Sequence, residues 1–191
     1  MTATLSIPPV NLLQAAYERV ATTNRVTQEF FDGNADRIAS ACESMATQFQ
    51  NGGRLLVCGD DAQRSDVSHV VVEFMHPVVV GKRALPALPL PSIHGGYAQQ
   101  ALAVLGREHD VLLLLTAATP GNEIYELIAA ARAASMQTIV LTGDDATCEG
   151  IADYQFAVPS DDRCIVQEVH EMLYHVLWEL VHVFLDRGGV P

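Results

Sequence analysis

The sequence has few basic residues, and its charge is strongly one-sided. Eleven lysines and arginines stand against 23 aspartates and glutamates among 191 residues, giving a formal net charge of −12 and a pI of about 4.8. Such a surface repels the phosphates of nucleic acids, so direct nucleic-acid binding is not expected. Acidic patches can still attract a basic protein partner, so a protein partner stays open.

The sequence also lacks paired cysteines and long apolar runs. Its four cysteines, Cys42, Cys58, Cys148 and Cys164, form no Cys-x-x-Cys pair, so neither a zinc ribbon nor a redox motif is indicated. No signal-peptide pattern opens the chain, and no apolar run approaches the roughly 20 residues of a membrane span. We therefore expect a protein of the reducing cytoplasm with no membrane partner, in which Cys58 is a buried thiol.

Apolar residues, in contrast, are plentiful. They make up 49% of the chain, and the mean hydropathy of +0.18 is ample for a buried core in one domain over residues 1–191. We expect an N-terminal helical pair over residues 1–51, followed by an α/β sandwich over 54–191. The pair consists of helices at 11–31 and 35–50, which the turn-forming Asp32-Gly33-Asn34 separates.

After residue 53 short strands alternate with helices, which predicts a parallel sheet with helices on both faces. Residues 110–116 form the best strand, because Val111–Leu115 is apolar on both faces. Residues 85–90 make a poor central strand because they include Pro86 and Pro89. The expected elements are strands at 54–58, 85–90, 110–116, 137–141 and 154–158, and helices at 66–76, 97–105, 121–134 and 161–186.

Two polar patterns on apolar helices carry the chemical signal. His69 and Glu73 are four residues apart, so on a helix they share one face. An imidazole and a carboxylate placed this way bind a divalent metal or act as an acid/base pair, whereas the alternative is an ordinary surface pair. The second pattern sets Gln167, His170 and His175 on the last helix, where His170 is expected to have a structural role.

Gln167 fits a shared site least well. It lies eight residues from His175, which is about 12 Å along a helix, and zinc prefers nitrogen, sulfur and carboxylate ligands to an amide oxygen. Gln167 therefore either reaches toward the ion or supports the residues that bind it.

A family resemblance follows from the order of these motifs: Cys58-Gly59 after the first strand, His69-x3-Glu73, residues 106–113, and Gln167-Glu168-x-His170-x4-His175. The chain resembles the sugar isomerase (SIS) domain family, and within it the phosphoheptose isomerase group. The resemblance implies a doubly wound, flavodoxin-like α/β fold with a five-stranded parallel sheet. It also implies a homotetramer with sites between subunits.

The same resemblance implies an activity and its residues. Members of the group convert sedoheptulose 7-phosphate to a heptose 7-phosphate. His69, Glu73, Gln167 and His175 match the zinc ligands of the family, and Glu73 and His175 match its acid/base pair. A related protein of the group binds the replication initiator DnaA, so the alternative is a catalytically silent interaction protein of that type.

The loops that hold phosphate in the family are altered here. Where the family reads Cys-Gly-Asn-Gly-Gly-Ser, this chain has Asp60 and Asp61, and residues 116–122 contain Ala117, Ala118 and Pro120. Because added carboxylates and lost donors disfavour an anion, we expect weakened phosphate binding. The aspartates either bind a cation or sugar hydroxyl, or form a solvated turn or helix cap. The candidate substrate-binding residues are Asp60, Asp61, Arg64, Thr116, Thr119, Asn122 and Arg163.

Overall fold

A computed structural model describes residues 11–77, 79–117, 121–143 and 150–187. Within these ranges five parallel strands form one sheet, with helices on both faces. The strands are β1 (Leu55–Gly59), β2 (Ala87–Pro89), β3 (Val111–Leu115), β4 (Gln137–Gly143) and β5 (Tyr154–Val158). The helices are α1 (Leu12–Gln50), α2 (Arg64–Met75), α3 (Tyr97–Leu105), α4 (Asn122–Ala133) and α5 (Arg163–Arg187).

The strand order is β2-β1-β3-β4-β5, with every neighbouring pair parallel. This is the flavodoxin-like order, so the predicted fold class is confirmed. The order changes direction between β1 and β3, which pair from Leu55 with Val111 to Gly59 with Leu115. In open α/β sheets a ligand crevice forms outside the carboxyl ends of such a strand pair.

Alternate residues of each strand bury into two separate cores, because successive side chains point to opposite faces of a sheet. Leu55, Val57 and Leu113 pack toward α1, α2 and α5. Leu56 and Leu114 pack toward α3 and α4. The strands β1, β3 and β4 are buried on both faces, as predicted for central parallel strands.

The N-terminal region differs from the prediction. One continuous helix, Leu12–Gln50, replaces the expected helices at 11–31 and 35–50. A glycine inside a helix costs about 1 kcal/mol relative to alanine, which burial of Phe30 and Ile38 on either side of Gly33 offsets. The Asn34 side chain donates back to the carbonyl of Phe30 at 2.8 Å, so its amide is satisfied without breaking the helix.

Helix α1 lies along α5 in the same chain. Ion pairs join Arg19 to Asp162 at 2.8 Å and to Glu168 at 3.0 Å. The first turns of α1 nevertheless leave large apolar side chains in solvent, with Leu12 78% and Tyr17 65% exposed. Helix α5 therefore does not cover these apolar side chains of α1.

The prolines place β2 as expected, at the edge of the sheet. β2 pairs with β1 alone, over only three residues. Pro86 and Pro89 therefore remove no hydrogen bond from a central ladder.

The prediction that Cys58 is a buried thiol is confirmed. Cys42 and Cys58 are buried free thiols and Cys164 is an exposed one, while Cys148 lies outside the described residues. Burial raises the pKa of the Cys58 thiol to about 12. None of the described helices combines the length and apolar character that a membrane crossing requires.

Candidate functional site

Helices α2 and α5 bring two histidines together. The Nε2 atoms of His69 and His175 lie 3.4 Å apart. Glu73 Oε2 is 4.0 Å from His69 Nε2, and Glu171 Oε1 is 3.6 Å from His69 Nδ1. We call these four residues, His69, Glu73, Glu171 and His175, the imidazole cluster.

Helical spacing explains how the cluster forms. His69 and Glu73 are four apart on α2, and Glu171 and His175 are four apart on α5, so each helix contributes one neighbouring pair. Buried Val70 and Phe74 fix the rotation of α2, and neighbouring apolar residues do the same for α5. The side chain of His69 remains 40% exposed and that of Glu73 19%, so the cluster stays within reach of a ligand.

The cluster fits a divalent metal. One ligand atom from each of His69, Glu171 and His175 lies within 4.8 Å of the others. Two nitrogens bound to one tetrahedral zinc at its usual bond length lie roughly 3.3 Å apart. The separation of 3.4 Å between the two Nε2 atoms matches that value. Two imidazoles and a carboxylate are also the donor types that zinc prefers.

Gln167 has a different neighbour. Its amide Nε2 donates to both carboxylate oxygens of Asp66, at 3.1 and 3.3 Å. Asp66 in turn lies 3.5 Å from the Tyr174 hydroxyl, which contacts His69 Nδ1 at 3.0 Å. Gln167 thus connects to the cluster through Asp66 and Tyr174, and its role as a metal ligand stays a prediction.

A cavity of about 330 Å³ opens at the carboxyl ends of β1 and β3. We call it the loop cavity. Six of the residues that line it are polar or charged, and its apolar wall includes Ile93 and Ile124. The polar and charged lining residues that the argument uses are Asp60, Asp61, Thr116, Arg163, His94 and Glu123.

Asp60 caps the helical turn that follows it. Its Oδ1 accepts from the backbone N–H groups of Ala62 and Gln63, at 2.9 and 3.2 Å, and its Oδ2 accepts from Thr116 at 3.1 Å. Gly59 precedes it as the last residue of β1, where a Cβ would lie 3.1 Å from the carbonyl oxygen of Leu115. The capping alternative thus describes Asp60, while Asp61 is exposed.

The other predicted substrate-binding residues do not all line the loop cavity. Arg163 lines the loop cavity, whereas Arg64 lines an adjoining cavity of about 340 Å³ that shares Asp60 and Asp61. Asn122 is exposed at the first position of α4, beside the cavity-lining Glu123. Thr119 lies outside the described residues.

His94 and Glu123 close one side of the loop cavity. Their side chains approach to 3.0 Å, and Glu123 also accepts from the backbone N–H of Gly95 at 3.0 Å. The hydrogen bond that His94 donates to the Glu123 carboxylate raises the pKa of His94 and lowers the pKa of Glu123. The carboxylate nearest the start of α4 is therefore already engaged by a histidine.

Sequence reasoning did not select Glu171, Asp66, Tyr174, His94 or Glu123. Glu171 had an available signal, because Glu-x3-His on α5 mirrors His-x3-Glu on α2. Tyr174 and Asp66 face inward among apolar residues and carry no local motif. His94 and Glu123 meet across 29 residues, a contact that no local pattern encodes.

Two histidines have structural partners, as predicted for His170. His170 is buried, with Nε2 3.2 Å from the carbonyl oxygen of Thr142, and burial lowers its pKa to about 4. His182 is also buried, between the carbonyls of Trp178 and Arg83.

Comparisons with known proteins agree with this architecture. A family profile described as the SIS domain matches residues 18–143. The chain is 31% identical over 165 residues to a phosphoheptose isomerase from Yersinia pestis, covering 78% of this chain and 84% of that protein. It is 28% identical over 181 residues to one from Nitratidesulfovibrio vulgaris, covering 88% and 87%.

A solved structure gives the same result for the fold. The structure of a phosphoheptose isomerase from Francisella tularensis superimposes with a TM-score of 0.79 at 23% identity, covering 91% of this chain and all of that one. With the matched profile, the parallel sheet and the paired helix motifs, these similarities establish that the chain belongs to the SIS domain family, in its phosphoheptose isomerase group.

Proposed function

We propose that the protein is an aldose–ketose isomerase acting on a sugar phosphate, of the phosphoheptose isomerase type. The observation that carries the proposal is the imidazole cluster, in which His69 and His175 face each other at 3.4 Å beside two carboxylates. The curated relatives are phosphoheptose isomerases, which supports the same reaction. The catalytically silent interaction protein is therefore not favoured.

Aldose–ketose isomerisation moves one proton between two neighbouring carbons. In the direction from ketose to aldose, a carboxylate removes a proton from C1 and leaves an enediol, then returns it to C2. A second group moves a proton between the oxygens on the same two carbons. We assign the carbon proton to Glu73 and the oxygen proton to His175, because both groups face His69.

His69 and His175, with Glu73 or Glu171, are the residues that would hold a divalent metal. A bound zinc supplies a Lewis acid that polarises a carbonyl oxygen. Zinc content of the purified wild type and of a His69→Ala/His175→Ala variant tests this assignment. We expect metal in the wild type and its loss in the variant, while His76→Ala/His94→Ala keeps it. Negligible metal in every protein would remove zinc from the proposal.

The sugar-phosphate ligand meets an acidic site. Asp60, Asp61 and Glu123 place three carboxylates around the loop cavity, against Arg163 and His94. We therefore propose that sedoheptulose 7-phosphate binds weakly, with a Kd above about 1 mM, since repulsion of about 1 kcal/mol per nearby charge lowers affinity several-fold each time.

We propose further that the protein is a homo-oligomer, with a tetramer expected from the family resemblance. Leu12, Leu13, Tyr17 and Val20 leave 57–78% of their surfaces exposed on the first turns of α1. Light scattering of the purified protein measures the assembly directly. A monodisperse monomer at micromolar concentration would contradict the proposal.

Conversion of sugar phosphates by the purified protein tests the function. We expect slow formation of the aldose from sedoheptulose 7-phosphate, detected by chromatography, and conversion slower by about 10²–10⁴-fold in a Glu73→Gln variant. Glu179→Gln, an exposed glutamate on α5, is the matched control and should keep the activity. Complete inactivity of the wild type at saturating sugar phosphate, with zinc present, would contradict the isomerase.

A further inference from the structure

A polar chain runs through the apolar packing between α2 and α5. Gln167 Nε2 lies 3.1 Å from Asp66 Oδ2, the Tyr174 hydroxyl lies 3.5 Å from Asp66 Oδ1, and it lies 3.0 Å from His69 Nδ1. Tyr174 is fully buried and Asp66 is 3% exposed. Polar groups this deeply buried are expensive unless their hydrogen bonds are satisfied.

The donor and acceptor capacities of these side chains determine which atom donates in each hydrogen bond. Asp66 as a carboxylate only accepts, so it is best satisfied by donation from both Gln167 and the Tyr174 O–H. The Tyr174 oxygen is then left as an acceptor toward His69 Nδ1.

Donation from Tyr174 to His69 instead would leave Asp66 and His69 Nδ1 with poorer hydrogen-bond partners. If the Tyr174 O–H donated to His69 Nδ1, Asp66 would lose one of its two donors. The lone pair on Nδ1 would then also face the Glu171 carboxylate, whose Oε1 is 3.6 Å away. Both contacts of Nδ1 are therefore better satisfied when that nitrogen carries the hydrogen.

We propose that Tyr174 is a positioning residue that holds the hydrogen of His69 on Nδ1. A neutral imidazole carries one N–H, so Nε2 then presents its lone pair toward His175 at 3.4 Å. The Glu73 carboxylate lies 4.0 Å from Nε2, farther away than either Tyr174 at 3.0 Å or Glu171 at 3.6 Å lies from Nδ1. The consequence for the isomerase rests on the proposed function: Nε2 of His69 is the atom that would bind metal or substrate. The tautomer itself does not depend on that function.

Nitrogen NMR of histidine-labelled, metal-free protein at alkaline pH tests the tautomer. We expect His69 in the wild type, assigned with a His69→Gln variant, to show a protonated Nδ1 and an unprotonated Nε2. In Tyr174→Phe, which keeps the buried ring, the Nε2-protonated tautomer should become populated, and Asp66→Asn should shift it in the same direction. Tyr154→Phe is the matched control, because the Tyr154 hydroxyl contacts Ser40, away from the cluster.

Metal affinity gives a second readout. Removing the partner of a metal-binding histidine lowers affinity by about ten- to a hundredfold. We expect a loss of that size for zinc in Tyr174→Phe and none in Tyr154→Phe, with both variants folded by circular dichroism. An unchanged His69 tautomer in Tyr174→Phe overturns the inference whatever the affinity. An inactive wild type with a shifted tautomer in the variant would overturn the isomerase instead.

Discussion

The imidazole cluster and the loop cavity share helix α5 but are built by different means. Residues within α2 and α5 form the cluster, so helical spacing and the buried faces of both helices fix its geometry. Loops after β1 and β3, together with the start of α4, form most of the cavity. The cluster holds the histidines and carboxylates of the proposed isomerase, whereas the cavity carries the carboxylates Asp60, Asp61 and Glu123 where we propose that the phosphate binds.

The difference shows which part of a site tolerates change. A loop can exchange asparagine and glycine for aspartate because its backbone does not pack in the core. A histidine on α2 or α5 cannot move without disturbing the buried apolar face of its helix. The reacting groups can therefore persist in this fold while affinity for the phosphate changes.

The largest expected effect lies in the cluster. Glu73→Gln removes the carboxylate assigned to the carbon proton and should lower kcat by about 10²–10⁴-fold, the usual contribution of a general base. Steady-state kinetics with sedoheptulose 7-phosphate measure it, and Glu179→Gln is the control. If Glu171→Gln loses the activity and Glu73→Gln keeps it, the base is Glu171 and the assignment to Glu73 is wrong.

A smaller effect is expected in the loop cavity. Asp61 is exposed, and unlike Asp60 it is not the cap of the following turn, so Asp61→Asn should leave the fold intact. Removing its charge should tighten sugar-phosphate binding by about fivefold, which corresponds to about 1 kcal/mol. Calorimetry measures the Kd, with Asp36→Asn on the exposed face of α1 as control. Equal affinities in all three proteins would mean that Asp61 does not face the phosphate.

The smallest effect concerns the ion pair beside the cavity. Glu123→Gln should lower the pKa of His94 toward its ordinary value of 6.5, as followed by NMR titration. The raised pKa means that the stabilisation from protonated His94 is complete below pH 6.5 and is lost as pH rises through the folded pKa. Because the pKa of Glu123 is lowered, its carboxylate stays ionised to a lower pH. The stabilisation from the ion pair is therefore lost on the acid side only as pH falls through that lowered pKa. An unshifted His94 would show that the two side chains do not meet in solution.

Sequence patterns predicted most of the fold because the patterns are local. The apolar run Val111–Leu115 and the helix at Tyr97–Leu105 follow from periodicity alone and occur as expected. The break predicted at Asp32-Gly33-Asn34 does not occur, because packing of the residues around it outweighs the weak helix propensity of glycine.

Local patterns also predicted only part of the candidate site. The pairing of His69 with His175 followed from two motifs and a family resemblance, and the structure places these residues together. Gln167 illustrates what local spacing cannot supply, because its neighbour Asp66 lies 101 residues away in sequence. The closing of the loop cavity by His94 and Glu123 likewise depends on the packed positions of α3 and α4, which no short motif specifies.

Deuterium exchange tests the central claim, that the imidazole cluster moves a proton between neighbouring carbons of a sugar phosphate. Sedoheptulose 7-phosphate incubated with the protein in D₂O would be followed by proton NMR. The account predicts that the wild type introduces deuterium at the carbon beside the carbonyl, since an enediol exchanges with solvent, and that Glu73→Gln does not. Exchange at equal rates in wild type and Glu73→Gln, or no exchange by the zinc-loaded wild type at saturating substrate, would contradict it.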